Sequence, residues 1–280
     1  MAQHRPADGH PFDQALALTP QGAGVFGGQP HPAYANMVGP FGGITAAQML
    51  QSVLLHPERL GEPVALTVNF AAGLRDAPFV LEARPARTNR STQHWAMALR
   101  QKGGDGAEET MITATAVTAA RRVTWSATDT PMPTAPRPAE LVRQPLLVRH
   151  VRWLERYDMR FVAGHVPRAW DGAESDSATQ LWMRDEPPRP LDFASLTALA
   201  DVFFPRVWRR RAVMTPIGTV SMTVYFHAGA SELAASGCGY LLGQARAQSF
   251  FNGFFDQSAE LWNETGQLLA TTHQIVYYKE

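Results

Sequence analysis

The chain has 280 residues, 45% of them hydrophobic and 10% aromatic, which suits one large domain or two medium ones with a substantial core. Lys+Arg and Asp+Glu each number 25, so the formal net charge is zero and the basic footprint of a nucleic-acid binder is missing. The longest apolar runs fall far short of the roughly 20 residues that span a bilayer, and the opening MAQHRPADGHPFDQ has no apolar signal-peptide core; a cytoplasmic protein without membrane or nucleic-acid partners is expected.

After this N-terminal arm, GGITAAQMLQSVLLHP (42–57) reads as a helix. Ile44, Ala47, Leu50, Val53 and Leu54 recur at helical spacing, and Pro57 ends the run. Four strand-like runs follow at 64–74, 78–88, 92–102 and 109–120, broken by Asp76, Asn89-Arg90-Ser91 and the Gly103–Gly106 turn. The stretch 126–145 has four prolines between Pro131 and Pro138, a composition that favours an extended connection. It sets the expected division: one unit over 1–122, a Pro-rich linker over 123–148, and a second unit over 149–280.

The second half repeats the plan. Strand-like material at 150–162 and 178–186 precedes a helix predicted over 193–205, with Asp192 as N-cap and an apolar stripe of Leu196, Leu199, Ala200 and Phe203. Strand-like runs follow at 217–228, 239–251, 254–264 and 267–279, the last two joined by the hairpin signal NETG. Cys238 is the one cysteine, so no intrachain disulfide and no CxxC metal pair can form; it is expected to be a small buried core residue. One central helix followed by a four-strand antiparallel meander, used twice, describes an α+β layer in which a twisted sheet wraps a helix.

Asp201 is the single charge in LTALADVFFP. On a helical wheel it points away from the apolar stripe, toward Ala194, Thr197 and Ala198, a side small enough for something to approach closely. A desolvated carboxylate there would have the raised pKa that suits a general base; the alternative is an exposed Asp paired with Arg206, Arg209 or Arg210. Gln274 shares a strand face with Leu268, Ala270, Thr272 and Val276, where a carboxamide needs a partner; the alternative is a sheet-edge position. Thr219 shares its alternation with Ser221, Thr223 and Tyr225, a solvated face, while Val220, Met222, Val224 and Phe226 read as core. Gly42 and Gly43 open the first helix, where free N–H groups could stabilise an oxyanion, although a tight turn needs the same glycines. Arg206, Arg209 and Arg210 form a basic cluster that either binds phosphate or is solvated surface. No HExxH pair, GxSxG elbow, GxGxxG or P-loop occurs, so no metal or other cofactor is expected.

GPFGGITAAQML, LADVFFP and ELWNETGQLLATTHQ, in this order and spacing, resemble the acyl-CoA thioesterase II group and the wider thioesterase-like proteins. The resemblance covers most of the chain and is weakest in the N-terminal arm and from about 121 to 190. It implies a double hotdog: two helix-plus-antiparallel-sheet repeats that form one continuous sheet around two central helices. It further implies hydrolysis of acyl-CoA to free acid and CoA, with Asp201, Thr219 and Gln274 at the positions that hold the attacking water. Gly42 and Gly43 would serve the oxyanion, and Arg206, Arg209 and Arg210 are candidates for the CoA phosphates. The first helix contains no Asp or Glu, so one active site per chain is expected, and hotdog sheets commonly pair edge to edge in homodimers or larger homo-oligomers. Two rivals stand beside hydrolysis: a non-catalytic acyl-CoA- or lipid-binding protein of the same fold, and an enoyl-CoA hydratase-type enzyme, whose Asp/His pair is not found.

Overall fold

The computed structural model describes residues 9–143 and 151–280; the first eight residues of the arm and the end of the predicted linker with the start of the second unit lie outside the described residues. In chain order the elements are helix α1 (Pro11–Leu16), the hairpin β1 (Thr19–Gly22) and β2 (Val25–Gly28), helix α2 (Gly42–Leu54), and strands β3 (Glu62–Phe70), β4 (Phe79–Thr88), β5 (Thr92–Lys102) and β6 (Glu108–Ala119). The second half has β7 (Tyr157–Ala163), β8 (Thr179–Asp185), α3 (Phe193–Leu199), α4 (Arg206–Arg211), β9 (Ile217–Phe226), α5 (Ala230–Ser236), β10 (Leu241–Arg246), the short β11 (Phe250–Phe251), β12 (Phe254–Asn263) and β13 (Leu268–Tyr278). No described helix is long and apolar enough to cross a membrane.

All the described strands join one antiparallel sheet in the order β1-β2-β4-β5-β6-β3-β9-β13-β12-β10-β8-β7, with β11 paired to β12. This is the expected double hotdog, with one change in the path. The strand after each helix does not lead a simple meander: β3 lies beside β6, and β9 beside β13. That placement brings β3 and β9 together, so the seam between the halves is an ordinary antiparallel ladder from Ala65↔Tyr225 to Asn69↔Ser221. Side chains lock the same seam. Thr67 and Thr223 share a hydroxyl hydrogen bond of 2.9 Å, and Arg121 donates to the carbonyls of Pro63, Phe226 and Ala228 where β6 leaves the sheet.

α2 and α3 pack against the sheet and against each other. In α2 the residues from Gly43 to Leu50, together with Ser52 and Val53, are buried on all sides, as a helix sandwiched between a sheet and a second helix must be. Its polar members are internally satisfied: Gln48 donates to the Ala15 carbonyl at 2.7 Å and Ser52 to Met49 at 2.7 Å. The predicted N-cap of α3 is present, with Asp192 accepting from the Ser195 N–H at 2.8 Å. Arg189 ties that cap to α1 through Asp192 and Asp13.

The proline-rich connection lies against the outer face of the second half. Indole N–H groups of Trp182 and Trp262 donate to the carbonyls of Pro136 and Thr130, and Arg160 donates to Pro138. Met132, Ala135 and Leu141 pack on Trp182, Tyr240 and Leu242. An extended segment whose prolines lack N–H groups still offers carbonyls, and here the sheet's tryptophans use them. Cys238 departs from expectation: it is exposed, in the turn between α5 and β10, because Gly237 and Gly239 carry the chain around the sheet end rather than through the core.

Candidate active site

α3 is shorter than the sequence pattern suggests. It ends at Leu199, and the chain tightens through hydrogen bonds from the Asp201 N–H to Ala198 and from the Val202 N–H to Leu199. A turn ahead of Pro205 separates it from α4. Asp201 therefore stands just past the helix end, and its side chain leaves the helical wheel that predicted its direction.

What approaches the small-residue side of α3 is the first turn of α2. The N-cap residue Phe41 supplies no side-chain cap to α2, so the first N–H groups need an outside acceptor. The Asp201 carboxylate is one: the Gly43 N–H donates to it. The fit requires glycine twice. A Cβ on Gly42 would lie 2.9 Å from Asp201 Oδ2, and one on Gly43 would lie 2.7 Å from the Ala198 carbonyl oxygen and 2.5 Å from the Phe41 ring. Trp153 stacks on that ring at 4.2 Å between centroids and 10° between planes, fixing it from the other side.

Gln274 completes the contact. It sits on β13, which is flanked on both sides by β12 and β9, so it is an interior rather than an edge position, and it is 3% exposed. Its Nε2 donates to Asp201 Oδ1 at 2.8 Å. Asp201 is half-buried and forms no ion pair among the described residues. Burial pushes its carboxyl up to about 7; the hydrogen bonds from Gln274 and Gly43 favour the anion but only partly offset that. The group thus titrates near neutrality, held by neutral donors alone.

Thr219 reverses the face expected from alternation. Ile275 pairs with Ser221 but Val276 pairs with Thr219, leaving Val220 as an extra residue in β9. This β-bulge resets the period-two pattern. Val220, predicted core, is 39% exposed, while Thr219 moves to the inner side opposite the buried Val276, two residues along β13 from Gln274. Its hydroxyl has no hydrogen bond among the described residues.

The arginine cluster does not present three phosphate ligands. Arg206 is fully buried, and its guanidinium donates to the carbonyls of Phe204 and Ser177 and, at 2.7 Å, to the Thr179 hydroxyl. Burial lowers its pKa to about 9. Arg209 bonds Ser175 at 2.5 Å, and Arg210 pairs with Glu174 at 2.6 Å. Arg206 opens the six-residue helix and shares its buried first turn with Val207 and Trp208, whereas Arg209 and Arg210 lie in the last turn.

Tyr157 and Asp185 were not singled out by the sequence. Tyr157 is 1% exposed, its hydroxyl has no partner among the described residues, and burial with the nearby Tyr34, Asp185 and Asp201 holds its pKa well above the ordinary phenol value. Asp185 accepts from the Ser195 hydroxyl, and burial raises it to about 6. Both end or begin strands that read only as generic β runs, so no local signal marked them.

The chain matches the sequence profiles of the acyl-CoA thioesterase N-terminal domain over residues 30–119 and the acyl-CoA thioesterase C-terminal domain over residues 126–278. A hot dog fold protein of unknown function from Alicyclobacillus acidocaldarius superposes with a TM-score of 0.90 at 49% identity, over 97% of this chain and 99% of that one. The tesB protein of Mycobacterium avium subs paratuberculosis gives a TM-score of 0.76 at 20% identity, over 97% of this chain and 100% of that one. An acyl-CoA thioesterase II of Mycobacterium marinum gives 0.72 at 19% identity, over 96% and 98%. At that identity the two mycobacterial proteins share the fold, and no curated protein matches the sequence. Two domain profiles in the right order, on a double hotdog whose halves meet at Asp201, make this chain a member of the acyl-CoA thioesterase family.

Proposed function

We propose that the protein hydrolyses acyl-CoA thioesters to the free acid and CoA with a water activated by Asp201. The observation that carries this reading is the meeting of Asp201, Gln274 and the Gly42–Gly43 turn, three parts of the chain far apart in sequence, around a desolvated carboxylate. The ionised Asp201 takes a proton from the water, whose oxygen attacks the thioester carbonyl carbon. The C–S bond then breaks, and the proton held by Asp201 goes to the departing thiolate. Gln274 orients the carboxylate, and its amide oxygen accepts the second proton of the water as a hydrogen bond. Thr219 donates to the water oxygen. The Gly43 N–H is turned toward Asp201, so of the two glycines only the Gly42 N–H is left for the oxyanion.

The test is release of free thiol from a panel of acyl-CoA substrates of varied chain length. Tight binding with no thiol released would overturn hydrolysis in favour of a binding protein. Thr219 gives a finer prediction. Thr219→Val should lower kcat about tenfold, the scale of one lost hydrogen bond to a reacting group, while Thr219→Ser should restore most of the rate. Equal activity in both variants removes Thr219 from the mechanism.

A further inference from the structure

Gln257 lies on β12 directly across from Gln274. Residues directly opposite in an antiparallel pair share a face, with Cβ atoms about 5 Å apart. Gln257 therefore faces the same interior as the carboxamide that holds Asp201. It is 3% exposed, and its own carboxamide forms no hydrogen bond among the described residues. Thr272 is its diagonal neighbour: it pairs with Ala259, two residues beyond Gln257, and its hydroxyl is buried without a partner among the described residues. The other two corners of that cross-strand square are the small Ala259 and Gln274 itself. Beyond Gln257 the interior closes, with Phe255 and Val276 packed against Val207 and Trp208. An amide and a hydroxyl left unbonded on one patch beside the carboxylate are an incomplete site, because buried polar groups carry a desolvation cost until something bonds them.

The attacking water cannot be that partner. In the reading above, its two protons go to Asp201 and Gln274, one lone pair accepts from Thr219, and the other attacks. All four directions are used. One cross-strand step of about 5 Å also fits the reach from the reacting carbonyl carbon through an oxygen two or three bonds away and the hydrogen bond of about 2.8 Å that it would make. We infer that Gln257, with Thr272, binds an oxygen substituent, a hydroxyl or oxo group, close to the thioester carbonyl, so that the site selects oxygenated acyl-CoA over the plain alkanoyl compound. This rests on Asp201 marking the acyl-CoA site.

The test is a ratio of affinities. Butyryl-CoA and both enantiomers of 3-hydroxybutyryl-CoA are made as non-hydrolysable analogues, with a methylene between sulfur and carbonyl, and titrated by calorimetry. Wild type should bind one hydroxy analogue about tenfold more tightly than the plain one, and in Gln257→Leu that ratio should fall to near one. Gln257→Asn, which keeps the amide but withdraws it by one carbon, is read in the same way should the leucine variant not fold. A wild-type ratio near one, a ratio that both variants retain, or no binding of any analogue overturns the assignment. Since turnover is not needed, a protein that shows the ratio yet releases no thiol from the true thioesters supports Gln257 and sinks hydrolysis.

Discussion

Asp201→Asn is expected to lower kcat by about 10²–10⁴-fold, the usual contribution of a positioned general base, while the folded state stays at least as stable as wild type. The asparagine oxygen can still accept from the Gly43 N–H, and Gln274 can turn its amide to present oxygen instead of nitrogen. Wild-type activity should rise with pH through a limb near 7, where the buried carboxyl ionises, and the variant should lack that limb. Stability follows the opposite trend. The folded pKa is raised above the unfolded value of 3.8, so between about pH 4 and pH 7 the folded state holds a proton that the unfolded chain has lost. Stability from this group is fully present below pH 4, falls as pH rises, and levels off above about 7, a loss of roughly 4 kcal/mol at most. Asp201→Asn removes that decline. Thermal melts across this range, run beside the thiol-release assay, check both halves; wild-type turnover in the variant would remove Asp201 from catalysis.

Gly43→Ala is expected to damage both fold and activity. The added methyl meets the Ala198 carbonyl, which is backbone and cannot turn aside, and a Phe41 ring clamped by Trp153. Overpacking of this kind costs about 1–3 kcal/mol, and separating α2 from α3 would also pull the Gly43 N–H off Asp201. Gly42→Ala should behave differently. Its methyl meets the end of the Asp201 side chain, which can rotate away, so the melting temperature should hold while kcat drops about 10²-fold from the misplaced base. Melts and steady-state kinetics on the two variants separate these outcomes. An unperturbed Gly43→Ala would show that the close approach of the two helices is not required.

Residues in and around the candidate site were legible to different degrees. Gln274 stood out because a carboxamide in an apolar alternating row demands a partner, and Gln257 in the row Phe255, Gln257, Ala259, Leu261 carried the same signal. Asp201 stood out as a lone charge, but its direction was read from a helix that ends before it. Thr219 was assigned the wrong face because one inserted residue, Val220, reverses every alternation beyond it. Arg206 was grouped with its neighbours as basic surface, yet it fills the interior with its donors satisfied by carbonyls and a hydroxyl.

Periodicity and turn chemistry are local properties, and the sequence alone determined what depends on them: two helices each trailed by strands, the turn positions, the Asp192 cap and the antiparallel class. Tertiary structure alone decided which strand lies beside which, since β3 reaches β6 and β9 through pairings between distant residues. It also decided where the helix after Asp192 stops, because the Asp201 side chain is held by groups from the first half and from the last strand. The desolvation that brings Asp201 to about 7 arises the same way: burial depends on everything packed around the carboxylate, and none of that is written in the ten residues that carry it.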